Sequence, residues 1–177
     1  MSGRGERRPG WTRRRVMGGL IVAELVQLAA FAQLEQIMKR TGGAGIIALE
    51  LAGSRERARK LMDRWGTEGR AAARKSLLLD FVFPPTYASF QALACLASSD
   101  ALAHRGQNGL AAAGPVLAWS QAAAAGFDYL ENVSLLLVLG GRERRFAPLA
   151  RRAALVKFAL LALGLGYVGL AAVPRGS

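Results

Sequence analysis

Four apolar stretches, residues 16–37, 77–98, 115–139 and 153–173, constrain this chain more than anything else in it. Each approaches the roughly 20 residues that a helix needs to cross the hydrocarbon core of a bilayer. In lipid every backbone polar group must be satisfied internally, so stretches of this length predict helices. The expected fold is all-α: four membrane-embedded helices, the first either crossing or re-entering, plus one interfacial amphipathic helix.

The chain has 177 residues and a formal net charge of +12, although 52% of its residues are apolar. Charge and apolarity must therefore be segregated along the sequence. Arginines crowd the ends and the connections, and Lys157 is the only cation well inside an apolar stretch. Basic clusters beside membrane spans bind anionic headgroups and set topology, so anionic lipids are the expected partners. Nucleic acid is not expected: lipid-length runs cut the basic clusters apart, and no recognition helix or aromatic stacking platform is present.

Cysteine and histidine usage removes further classes. Cys95 is the sole cysteine and His104 the sole histidine, which excludes an internal disulfide, a paired-thiolate zinc site and a bis-histidine haem. No cofactor and no metal are expected.

Residues 1–15 hold six arginines among Gly and Pro and read as a mobile basic tail. Arg13–Arg15 ahead of an apolar run resembles a secretory signal, but Glu24 interrupts what should be an uncharged core, so the segment is expected to remain. Residues 16–173 read as a single helical membrane domain. Residues 174–177 look like part of a thrombin-site remnant and are set aside.

Between the first two apolar stretches, Ser54 can cap a helix over about 54–65. Ala58, Leu61, Met62 and Trp65 form one stripe of it, with Arg55, Arg57, Arg59, Lys60 and Arg64 mainly on the polar side. The pattern predicts an interfacial helix lying on the membrane. Arg55, Arg59, Lys60, Arg64 and Trp65 would then contact lipid headgroups. A soluble helix packed on the rest of the protein has the same periodicity. Farther on, Pro84 and Pro85 are expected to kink the second span. Gly164, Gly166 and Gly169 with Ala162 would allow close helix approach within the chain or between copies.

With four spans, the first and third connections share a side and hold fifteen Lys and Arg residues, which places that side in the cytoplasm. The six tail arginines oppose this unless the first segment re-enters.

Ionisable residues inside the spans are the candidate site. Asp128, Glu131 and Asn132 stand at i, i+3 and i+4 on one helical face. Asp80 and Lys157 fall in the same leaflet half, so the five are expected to form one buried cluster, with Glu24 as an additional member. A charge near the bilayer centre costs about 2.5–3.5 kcal/mol on insertion scales, so such residues demand partners.

Three readings follow. The cluster is a polar lock in a structural or accessory subunit of a membrane assembly, with a membrane-protein partner or a second copy. It is the site of a proton- or cation-coupled small-solute transporter. Or it belongs to an intramembrane enzyme acting on a lipid or quinone, which lacks a Ser-His or Cys-His nucleophile set and a phosphate-cradling loop.

Four stretches, Gly45-Ile46-Ile47-Ala48-Leu49-Glu50-Leu51-Ala52, Leu79-Asp80-Phe81, Asp128-Tyr129-Leu130-Glu131-Asn132 and Val156-Lys157-Phe158-Ala159, carry a resemblance. The chain resembles an uncharacterised family of small multi-span bacterial membrane proteins with no assigned activity. The resemblance implies a compact helical architecture in the cell membrane and carries over no residue role.

Overall fold

The computed structural model describes residues 9–173, with side chains from residue 15. Seven helices follow one another: α1 (Pro9–Gly42), α2 (Ile46–Glu50), α3 (Arg55–Asp80), α4 (Phe83–His104), α5 (Asn108–Ala111), α6 (Ala113–Leu139) and α7 (Glu143–Ala172). No strand occurs among the described residues. Helix α1 already runs from Pro9, so residues 9–15 of the expected tail are helical. Residues 1–8 of that tail and the expected remnant at 174–177 lie outside the described residues.

Three helical segments are long and apolar enough to cross a membrane: Arg15–Gly42, Asn108–Leu139 and Glu143–Ala172. The second apolar stretch is not one helix. Residues 77–80 finish α3, the chain turns at Phe81 and Val82, and α4 starts at Phe83 with Pro84 in its first turn. The expected kink is thus a helix boundary. Prolines donate no backbone hydrogen bond, and a helix start is where that loss is harmless. The Tyr129 hydroxyl donates to the Phe81 carbonyl at 3.2 Å, satisfying one of the acceptors left free at the break.

Helices α6 and α7 form an antiparallel pair against which α4 packs, while α1 rests on α3 and α4. The end carrying the first and third connections has the largest core. There Met38, Leu49, Leu61, Trp65, Leu135 and Val138 are buried together, with the small residues Ala147 and Ala150 of α7. A second core around Cys95, Leu102 and Tyr167 closes the opposite end.

The start of α3 corrects one expectation. Ser54 does cap it, accepting from Arg57 N at 3.3 Å, and the helical path breaks at Gly66, whose φ of +59° suits glycine. The apolar stripe, however, faces protein. Trp65 is 1% exposed and its indole Nε1 donates to the Ala44 carbonyl at 2.7 Å, so it does not reach the headgroups. Periodicity identifies an apolar face but not its counter-surface, and α1, α6 and α7 supply one. Arg55, Arg57, Arg59, Lys60 and Arg64 remain exposed on the other side. Arg59 reaches Glu143 at 3.1 Å and ties the first connection to the third.

Candidate functional site

Helix α6 presents Asp128, Glu131 and Asn132 on one buried face because residues three and four apart share a face at 3.6 residues per turn. Lys157 of α7 inserts into that face. Its Nζ lies 3.1 Å from Asp128 Oδ1 and 2.6 Å from Glu131 Oε2. Asp128 uses its second oxygen to accept from the Tyr87 hydroxyl of α4 at 2.8 Å. Asn132 donates to Asp80 Oδ2 at 2.8 Å, drawing in the end of α3. The structure therefore brings together Asp80, Asp128, Glu131, Asn132 and Lys157.

Glu24 is not in this group. No ion pair or hydrogen bond joins it to the others, and the neighbouring turn of α1 meets α4 instead, where Gln27 Nε2 donates to Thr86 Oγ1 at 3.4 Å. The rise per residue explains this. Glu24 and Glu35 share a face of α1 but stand eleven residues apart, about 16 Å along the axis, and only the later turns of α1 reach the height of the cluster. Glu35 itself pairs with Lys39 at 3.2 Å and accepts from Ile46 N at 3.0 Å, which folds the connection back toward the bundle.

The place expected for Glu24 is taken by Glu50, from the short α2. Its carboxyl faces Glu131 and lies within the field of Lys157. Burial raises Glu50 above the ordinary carboxylate range even though Lys157 pulls the other way. Sequence reasoning passed over Glu50 because it sits in a connection. Its signal was an acid alone in the apolar run Ile46–Leu51. Tyr87 was also missed, although Tyr87, Gln91, Cys95 and Ser98 make a legible stripe at helical spacing on α4.

Two carboxyl groups thus pair with one ammonium, and two more, Asp80 and Glu50, adjoin them. Glu131 is fully buried, between the Lys157 ammonium and the Glu50 carboxyl. Beside the cluster lies a cavity of about 560 Å³. Asp80, Asp128, Glu50 and Lys157 are on its polar wall, with Glu35, Ser76, Tyr87 and Gln91, and Phe31, Phe83, Phe158 and Leu161 are among its apolar walls. Among the described residues no three His, Cys, Asp or Glu side chains are grouped to hold a metal ion.

A separate hollow at the basic end is lined by Arg55, Arg59, Arg142, Arg144 and Arg145 with Glu143. It gathers two of the residues expected at lipid headgroups with three from the third connection. Lys60 and Arg64 are exposed on α3 outside it, and Trp65 is in the core.

No protein-family model, curated protein or solved structure matches the chain. The fold and the cluster alone define its class: an all-helical bundle with ionisable groups held between apolar helices.

Proposed function

We propose that the chain is a multi-pass protein of the cell membrane, crossed by α1, α4, α6 and α7, in which the carboxyl cluster around Lys157 is the exchange site of a proton- or cation-coupled small-solute transporter. Three of these helices have the length and apolarity to span. The 22 residues of α4 reach about 33 Å, enough to follow the α6 and α7 helices it packs against. The fifteen basic residues of the first and third connections outnumber the six tail arginines that a crossing α1 carries to the other side, which favours a cytoplasmic basic end, and the arginine-lined hollow there suits anionic headgroups.

One observation carries the exchange-site reading: four carboxyls are gathered with a single lysine, which pairs with two of them, beside an open cavity. A polar lock gains most when it is closed and every member is satisfied. Here Asp128, Asp80 and Glu50 face open space, and the contact between the Glu50 and Glu131 carboxyls holds only while one of them carries a proton, so protons or a cation can come and go. The test is proton release from purified protein in weakly buffered detergent on addition of Na⁺, K⁺ and a panel of organic cations. At least one cation releases protons from the wild type but not from Asp128→Asn/Glu131→Gln. Silence across the whole panel overturns the reading.

The accessory-subunit reading has one observation in its favour. Val22, Leu25 and Val26 of α1 are each more than 60% exposed and form an apolar surface on which a partner helix could rest. A stoichiometric membrane partner that copurifies with the wild type and is lost when these positions are changed would establish it.

A further inference from the structure

The cavity has two chemically distinct parts, and its location fixes how a ligand reaches it. Its polar wall carries Glu50, Asp80 and Asp128 against Lys157, with Glu131 behind them, and so has an excess of acid. Its other walls carry aromatic rings. Phe31 and Phe83 meet edge to face at 5.5 Å, and Phe83 lies 5.3 Å from Tyr87. Rings beside carboxylates suit an organic cation, which is attracted to both.

The lining residues come from α2, α3, α4 and α6 and, flanking them, from α1 and α7, two helices that make little contact with each other. The gap between α1 and α7 is therefore the way in that the lining leaves. Leu28 of α1, Ile47 of α2 and Leu165 of α7 line the cavity and are 50%, 56% and 62% exposed. With α1 and α7 crossing the bilayer, the exposed apolar side chains of Leu28 and Leu165 at this gap meet lipid tails, while Glu35 and Lys39 mark its polar end. Glu131, fully buried behind Asp128, meets the Glu50 carboxyl and extends the acidic group at the inner end of the cluster.

We infer that this cavity binds a lipophilic organic cation that enters sideways from the bilayer between α1 and α7, with its charge at the carboxyls and its apolar body among Phe31, Phe83, Phe158 and Leu161. The inference rests on the exchange-site reading and adds the ligand class and the route. A cavity of about 560 Å³ is within the usual range for drug-sized ligands. A bound cation takes the place of the protons that acids in excess of the single lysine otherwise hold.

The test uses tetraphenylphosphonium as probe, with equilibrium dialysis of the purified full chain in detergent against protein-free micelles. Binding saturates at one per chain and weakens as the pH falls, because protons compete for the same carboxyls. Asp128→Asn/Glu131→Gln weakens it by about tenfold or more, the scale expected when a buried charge partner is removed. Ala32→Trp, which fills the mouth from an exposed position of α1, abolishes it, whereas Ala29→Trp, exposed on the same helix but not on the cavity, leaves it unchanged. If tetramethylammonium or Na⁺ binds as tightly as the probe, the apolar walls contribute nothing and the inference falls while the exchange-site reading stands. If both tryptophan variants bind like the wild type, the lateral route is wrong. If no cation binds at all, inference and exchange-site reading fall together.

Discussion

Lys157 Nζ stands 2.6 Å from Glu131 Oε2, with both side chains removed from solvent. Breaking a buried pair from one side leaves an uncompensated charge, which costs about 3–5 kcal/mol. Lys157→Met is therefore expected to lower the melting temperature in detergent sharply. Adding Asp128→Asn and Glu131→Gln to it should restore most of the loss, since the acids that needed the lysine are then gone. Thermal melts of the single, double and triple variants read this directly, and additive losses would argue against one coupled group.

Glu50 gives stability a defined pH dependence. Its carboxyl titrates higher in the folded chain than its ordinary 4.5, chiefly because it is buried. The folded state then holds more protons than the unfolded state between the two values, and its contribution falls as pH rises through that window. Glu50→Gln should raise the melting temperature above the window and have little effect below pH 4.5. A wild type and variant with parallel pH profiles would contradict the burial.

Trp65 and Trp119 are expected to report opposite environments. Trp65 is 1% exposed in the core and Trp119 is 79% exposed on α6. In single-tryptophan variants reconstituted with brominated lipid, Trp119 fluorescence should be quenched strongly and Trp65 hardly at all. Trp65→Ala should cost about 3–5 kcal/mol, as for other large buried aromatics.

The glycines of α7 separate packing within the chain from packing between copies. A Cβ on Gly164 would come within 2.6 Å of Gln121 Nε2 and 2.9 Å of Gln91 Nε2, whereas Gly166 and Gly169 have open space. These amides donate to Leu160 and Leu161 carbonyls, so crowding them also breaks links between helices. Gly164→Val should destabilise by about 1–3 kcal/mol and Gly166→Val by little. Both should leave the oligomeric state unchanged, measured by light scattering in detergent. A shift on Gly166→Val would mean that this face meets a second copy.

The helical class, the segregation of charge to the connections and the inward face of α6 were all legible in the sequence. They depend on local periodicity: Asp128, Glu131 and Asn132 share a face on any helix they form. The capping role of Ser54 and the break at Gly66 are equally local, set by side-chain chemistry and by a φ that favours glycine.

What surrounds each face was decided only by tertiary structure. The stripe through Leu61 and Trp65 is as compatible with lipid as with protein, and the docking of α1, α6 and α7 chose protein. Whether Pro84 kinks a span or starts a helix depended on the α3 end turning beneath Tyr129. Glu50 displaced Glu24 because the chain after α1 folds back through the Glu35 contact to Ile46, carrying α2 against Lys157. Spacing along one helix specifies direction around its axis, whereas height against neighbouring helices is set by where the connections let them pack, and no local pattern encodes that.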